Sequence, residues 1–198
     1  MARLIYSAIA SADGFVEDAD GGFDWGAPGP ELLSFINELE RPAGTYLYGR
    51  RMYETMRYWE TADQQPGQSP YERDFTRLWQ AASKIVFSAT MTSVSTARTR
   101  LERAFVPDDI MQLKQDARQD LSIGGADLAG QALKAGLVDE LRLFLVPVIV
   151  GAGKPALPAG VRLDLELLDI RKFTSGAVYL SYRPGLAGPK PRTLTPEP

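Results

Sequence analysis

The chain of 198 residues contains neither cysteine nor histidine. Without cysteine there is no disulfide framework, no thiolate zinc site and no cysteine nucleophile. Without histidine, Ser-His-Asp catalysis and the usual imidazole metal sites are excluded, and we expect no bound metal. Acid–base chemistry must therefore fall to carboxylates, tyrosine, lysine or water, which suits a protein whose bound cofactor carries the reactive atom.

Strong charge and long apolar runs are also missing. A net charge of −3 gives no general attraction to nucleic acid or to an anionic membrane. No apolar run approaches the roughly 18 residues of a membrane span, and the first residues pass directly into a strand-like run rather than a signal-peptide pattern. We therefore expect a cytoplasmic protein without nucleic-acid or membrane partners.

Short β-rich runs alternate with amphipathic helical stretches along residues 1–183, a pattern that predicts one α/β domain. Residues 161–170 and 177–182 alternate in polarity and predict a C-terminal antiparallel hairpin. Glycine and proline crowd residues 184–198, which predicts a loose tail. The expected architecture is a central mixed, mostly parallel β-sheet flanked by helices.

Two glycines, Gly124 and Gly125, separate a predicted strand from a predicted helix. A glycine pair lets the backbone approach a ligand closely, and the helix start offers free N–H groups and a positive dipole end to a pyrophosphate. An ordinary tight bend explains the same pair equally well.

Two further strand ends carry candidate phosphate ligands. Gly49 is followed by Arg50 and Arg51, whose forked donors suit a phosphate, although two solvated arginines at a helix start explain them as well. Ser88, Ala89 and Thr90 follow the next strand, where an ordinary turn rich in hydroxyl groups is the simpler explanation in isolation.

Taken together, these strand ends resemble the dihydrofolate reductase-like superfamily, and specifically the reductase domain of riboflavin biosynthesis (RibD C-terminal type). The likeness covers residues 3–182 and rests on several elements in order. These are Ser11–Gly14 (S-L-D-G in the family), Tyr48–Glu54 (G-R-K/R-T-x-E), Ile85–Ser88 (a strand ending in serine), Ser122–Leu128 (I-G-G-x-x-L/V), Val138–Leu143 (V-D-E-L-x-L) and Pro147–Pro155 (P-V-x-x-G-x-G-x-P).

The resemblance implies a dihydrofolate reductase-like fold and NADPH as cofactor. It implies that Arg50, Arg51 and Ser88 lie near the adenosine 2′-phosphate, with Gly49, Ala89 and Thr90 also at the cofactor. It places Gly124, Gly125, Ala126 and Leu128 at the pyrophosphate, and Ala8, Ala10, Asp13 and Gly14 beside the nicotinamide. A cis peptide is frequent between the paired glycines of the family, so the Gly124–Gly125 bond is a candidate for one.

Substrate recognition is less closely matched. Riboflavin-pathway reductases carry arginines after the first loop that hold a ribose phosphate, but residues 30–37 contain none. Dihydrofolate reductases place a carboxylate on this helix, and Glu31 falls near that position. Glu31 and Asp13 of the first loop are the candidate catalytic residues that would orient the substrate, although a first-turn acid and an Asp-Gly turn are ordinary features. Candidate contacts to a flat heterocycle are Trp25, Phe35 and Pro147, with the edge of a core as the alternative.

The resulting hypothesis is hydride transfer from NADPH to a pteridine- or ribosylaminopyrimidine-like substrate, with water supplying the proton. The alternatives are dihydrofolate reduction and a non-catalytic, nucleotide-binding dimer of the same fold. A homodimer is expected, because relatives pair through sheet edges and an apolar strand such as residues 141–150 needs cover.

Overall fold

A computed structural model describes residues 1–186. Ten strands are found in this range: β1 Leu4–Ser11, β2 Phe15–Asp18, β3 Ala43–Gly49, β4 Ser83–Phe87, β5 Thr99–Glu102, β6 Asp120–Gly124, β7 Glu140–Val146, β8 Gly153–Pro155, β9 Leu163–Lys172 and β10 Val178–Leu186. The α-helices of the same range are α1 Pro30–Glu40, α2 Arg50–Met56, α3 Pro70–Ala81, α4 Pro107–Asp116 and α5 Ala126–Lys134.

Eight of the strands form one sheet in the order β5-β4-β3-β6-β1-β7-β10-β9. The first six strands in this order pair in parallel, and β10 joins antiparallel to both β7 and β9. β2 and β8 form a separate antiparallel pair. The predicted mixed, mostly parallel sheet with a C-terminal hairpin is confirmed.

The helices cover both faces of the sheet. On one face, α4 and α5 pack on alternate apolar residues of the central strands, such as Leu4, Leu121 and Ile123. On the other face, α1 and α3 pack over β3, β4 and β7, where Trp79 and Phe144 are fully buried. This second face also carries the polar strand residues that matter for the site.

The starts of α1 and α3 follow from local sequence. Each helix begins at a proline, whose fixed φ and missing N–H suit the first helical position. Ser69 accepts a hydrogen bond from the Glu72 N–H, and the Glu72 carboxylate accepts one from the Ser69 N–H. This reciprocal capping box satisfies two otherwise unpaired donors at the start of α3.

Two expectations about the C-terminal region are corrected. β10 continues to Leu186, so the strand includes the first three residues of the predicted tail, 184–186; residues 187–198 lie outside the described range. The apolar strand predicted at residues 140–150, with a break near Pro147, ends at Val146, so the break is confirmed. β7 is paired with β1 and β10 on its two sides. It therefore needs no partner chain for cover.

β9 is one edge strand of the sheet, and β5 is the other. A register shift between Ser181 and Tyr182 lets Leu167 and Ile170 oppose Tyr182 and Leu180, which are two residues apart on β10 and share a face. Leu167 and Ile170 are 52% and 61% exposed. We call these two residues, with Leu165 before them, the β9 stripe.

Candidate active site

A cleft of about 900 Å³ opens at the carboxyl ends of the parallel strands and extends between the sheet and α1. Ligands of open α/β sheets characteristically bind at this edge, because the loops leaving neighbouring strands diverge there. Ten of the residues predicted to bind the cofactor line the cleft: Ala8, Gly49, Arg50, Arg51, Ser88, Ala89, Gly124, Gly125, Ala126 and Leu128.

Small side chains on the central strands create the space. Ser7 of β1, Ser122 of β6 and Gly124 of β6 lie on the face that α1 covers, where large apolar residues would otherwise fill the layer. Ser122 precedes Gly124 by two residues, so the cleft continues from the strand ends about 7 Å inward along this face. We call the outer part, at Gly49, Ser88 and Gly124, the mouth.

The paired glycines have different structural roles. Gly124 lies opposite Tyr48 in the β3–β6 register, and a Cβ placed on it would come within 2.9 Å of the tyrosine ring. Gly125 precedes α5 with φ = 92°, a conformation that glycine adopts without strain. The peptide bond between them is not cis, which corrects the expectation: the positive φ of Gly125 itself turns the chain from strand to helix.

Three arginines lie at the mouth. The Arg50 guanidinium donates to Glu54 at 2.9 Å and reaches Thr90 at 3.5 Å, while Arg51 belongs to the same helix start. Arg103, which no sequence motif singles out, donates to the carbonyl oxygen of Met91 at 2.5 Å. It joins the predicted pair because β5, which ends at Glu102, runs parallel to β4 and delivers the next residue to the same edge.

Ser88 organises the turn beside these arginines. Its hydroxyl accepts hydrogen bonds from the backbone N–H groups of Thr90 at 3.3 Å and Met91 at 3.1 Å. Thr90 itself does not line the cleft, and its hydroxyl links this turn to Arg50; its contact with a cofactor stays a prediction.

A buried carboxyl group lies at the inner end of the cleft. Glu40, the last residue of α1, is 6% exposed and accepts a hydrogen bond from the Ser7 hydroxyl at 3.3 Å. Burial raises the pKa of Glu40, against the opposing effects of the Ser122 hydroxyl and the Arg142 charge. We call this inner end, formed by Ser7, Glu40, Tyr46 and Ser122, the floor.

Neither predicted catalytic carboxylate lines the cleft. The Glu31 side chain accepts hydrogen bonds from the hydroxyl and backbone N–H of Thr174, and these contacts lower its pKa. Asp13 binds the backbone N–H groups of Val150 and Gly151; the Ser11 side chain, followed by these two groups, lowers its pKa. Each carboxylate is engaged by groups outside the cleft, so their catalytic roles stay predictions without support from the geometry of the cleft.

Other predicted contacts also lie outside the cleft lining. Phe35 packs edge-on against Phe144 and Tyr179, and Trp25 packs in the same apolar cluster. Pro147 faces Gly176, Ala10 is fully buried, and Gly14 forms a turn with Ser11. The aromatic residues thus serve the core, and the predicted substrate and nicotinamide contacts at these positions are not supported by the geometry.

One charged pair lies on the side of the cleft away from α1. The Lys154 ammonium contacts the Asp127 carboxylate at 2.5 Å, which joins β8 to the first turn of α5. The negative charge of Asp127 interacts favourably with the positive end of the α5 dipole but would repel an anion. The ammonium group of Lys154 offsets part of that negative charge.

Comparisons with known proteins agree with the architecture. The sequence profile described as the RibD C-terminal domain matches residues 2–179. The chain belongs to this family. The uncharacterized protein YyaP of Bacillus subtilis (strain 168) is 30% identical to it over 188 residues, which cover 91% of this chain and 94% of YyaP.

Solved structures share the fold of this RibD C-terminal family member. One, from Shewanella sp. PV-4 and described as a riboflavin biosynthesis protein, has a TM-score of 0.71 at 21% identity and covers 93% of this chain and 99% of its own. A pyrimidine reductase-like protein of Corynebacterium diphtheriae has a TM-score of 0.64 at 16% identity, with 92% of both chains covered. Among residues 1–186, no helix has the length and apolarity to cross a membrane.

Proposed function

We propose that this protein is an NADPH-dependent reductase of a small heterocyclic compound, of the pteridine or ribosylaminopyrimidine type. The observation that carries the proposal is the composition of the cleft. Its mouth gathers three arginines and a glycine-rich helix start, whereas its inner part combines apolar and aromatic walls with the polar floor. Family membership and the reductase-like structural neighbour support the same assignment.

The mouth fits the phosphate groups of such a cofactor. Arg50, Arg51 and Arg103 would hold the 2′-phosphate, because guanidinium groups form strong charge-assisted hydrogen bonds with phosphate oxygens. The start of α5 after Gly125 would receive the pyrophosphate, since its first N–H groups have no partners within the helix. When bound, the nicotinamide supplies the hydride.

The inner part of the cleft fits a flat ring. Tyr46 and Tyr48 stack on each other with centroids 5.6 Å apart and planes 7° from parallel. Ile9 and Ile36 also line the cleft. These side chains would exclude water from the heterocycle, and a solvent molecule admitted from the mouth would supply the proton.

Titration with NADPH and with NADH, followed by quenching of tryptophan fluorescence, tests the cofactor. We expect NADPH to bind more tightly, and the double variant Arg50→Ala/Arg51→Ala to weaken NADPH binding by at least about tenfold while affecting NADH little. Arg118→Ala, an exposed arginine outside the cleft lining, is the matched control.

Loss of NADPH absorbance in the presence of pteridines and aminopyrimidines then tests turnover. Turnover of dihydrofolate would assign the protein to dihydrofolate reduction instead. Failure to bind either nucleotide at millimolar concentration would contradict the reductase and favour a non-catalytic role.

A further inference from the structure

A pair of opposite charges joins β8 to α5 along one side of the cleft. The Lys154 ammonium donates to the Asp127 carboxylate at 2.5 Å, and both side chains line the cleft. The Asp127 side chain is 81% exposed, whereas that of Lys154 is 20% exposed. Ion pairs with so exposed a partner contribute little to stability, so the fold does not depend on this contact.

Backbone contacts hold β8 in place without the lysine side chain. Lys154 pairs with Glu17 in the ladder between β2 and β8. Two residues further on, Ala156 donates its N–H to the carbonyl oxygen of Gly14 at 2.8 Å and accepts a hydrogen bond from the Tyr6 hydroxyl at 2.7 Å. The Lys154 ammonium can therefore change its partner while the strand that carries it stays in place.

The position of Lys154 suits a phosphate group as that other partner. Asp127 belongs to the first turn of α5, so the ammonium group lies beside the helix start at which a pyrophosphate is proposed to bind. Asp127 engages the ammonium through a single oxygen atom, Oδ2, although an ammonium group has three N–H donors. A phosphate offers several acceptor oxygens and forms strong charge-assisted hydrogen bonds with a cation.

The charges on this side of the cleft make a cation necessary for such an anion. Asp127 of α5 and Glu17 of β2 both line the cleft and would repel phosphate oxygens. Lys154 is the only cation among the lining residues of α5, β2 and β8, all of which the structure describes. Without its ammonium group, the start of α5 would face two carboxylates and no cation from these elements.

We propose that Lys154 is a phosphate-binding residue of the cleft, and that Asp127 competes with the phosphate for its ammonium group. This assignment rests on the proposed function, because it adds a ligand for the pyrophosphate of the same cofactor. Asp127 lowers the affinity for the anion by holding Lys154 and by its own negative charge. The two partners of this ion pair therefore act on anion binding in opposite directions, which a purely structural ion pair would not do.

Binding of inorganic pyrophosphate and of NADPH, each measured by calorimetry, tests the proposal. We expect Lys154→Met to weaken the binding of both ligands by at least about tenfold, and Asp127→Asn to strengthen it by at least about threefold. Lys154→Arg keeps a cation and should retain most of the affinity. Lys134→Met is the matched control, because it removes the same charge from the exposed last turn of α5 and should leave both affinities unchanged.

Unchanged binding in a folded Lys154→Met variant, or weaker binding in both Lys154→Met and Asp127→Asn, would make the pair a structural bridge and overturn the proposal. The ¹⁵N resonance of the Lys154 ammonium in the wild type gives a second readout. It should shift when millimolar pyrophosphate is added, and no shift would refute the assignment. Pyrophosphate carries neither adenosine nor nicotinamide, so a failure of NADPH alone to bind contradicts the reductase, whereas pyrophosphate binding that does not depend on Lys154 contradicts this assignment.

Discussion

Replacing Gly124 with alanine tests whether the first glycine of the pair is required by packing. The added Cβ would lie 2.9 Å from Cε1 of Tyr48 and 3.2 Å from Cγ of Met52. The methionine can shift, but the tyrosine ring is buried and stacked on Tyr46. Overpacking of this kind costs about 1–3 kcal/mol. Alanine also restricts the unfolded chain, which stabilises the folded protein by about 0.4–1 kcal/mol. We therefore expect the free energy of unfolding to fall by about 1–2 kcal/mol.

Urea unfolding measures this loss, and a double-mutant cycle locates its source. In a Tyr48→Val background the penalty of Gly124→Ala should fall by at least half, because the clashing ring atoms are gone. Gly49→Ala is the matched control: its Cβ would meet Leu128 at 3.9 Å, an ordinary contact, so little change is expected. A Gly124→Ala penalty that is absent, or that persists undiminished without the ring, would refute the packing argument.

Three further predictions concern stability and assembly. Burial raises the pKa of Glu40, so the folded protein keeps the carboxyl proton to higher pH than the unfolded chain does. The free energy of unfolding should therefore fall as the pH rises from the usual glutamate range towards the raised pKa. Glu40→Gln should remove that fall, as measured by urea unfolding at several pH values. Ser69→Ala breaks the capping box with Glu72 and should cost about 1 kcal/mol in the same assay, with nucleotide affinity unchanged. The exposed β9 stripe is expected to pair two copies of the chain. The double variant Leu167→Lys/Ile170→Lys should then convert the dimer to a monomer, as measured by light scattering. A wild type that stays monomeric at millimolar concentration would contradict this expectation.

The sequence is sufficient to predict that the residues of the mouth lie close together. Gly49, Ser88 and Gly124 each follow an apolar strand-like run, and parallel strands end at one edge of a sheet. Their order and spacing also matched a family whose members share the fold. What no local pattern identified was Arg103, since its preceding strand is only four residues long and its place at the edge depends on pairing with β4.

The carboxylate of the floor was missed for a physical reason. Helical periodicity places residue 40 on the inward stripe with Ile36, but a charged residue followed by Arg41 and Pro42 is typical of an exposed helix end. The resemblance to dihydrofolate reductases points instead to Glu31 on the same helix, which the structure shows bound to Thr174. The available signal was indirect: Ser122 interrupts an otherwise apolar strand, and such a residue needs a polar neighbour.

The two ends of the cleft differ in charge, and this difference would fix the orientation of whatever binds there. Arg50 and Arg103 favour an anion at the mouth, whereas the Glu40 carboxyl disfavours one at the floor. A phosphate-bearing cofactor and an amino-substituted ring would therefore each find one favourable end. Because Ser122 and Gly124 lie two residues apart on one face, these two ends are separated by only about 7 Å along β6, so one ligand or two adjacent ligands could span both.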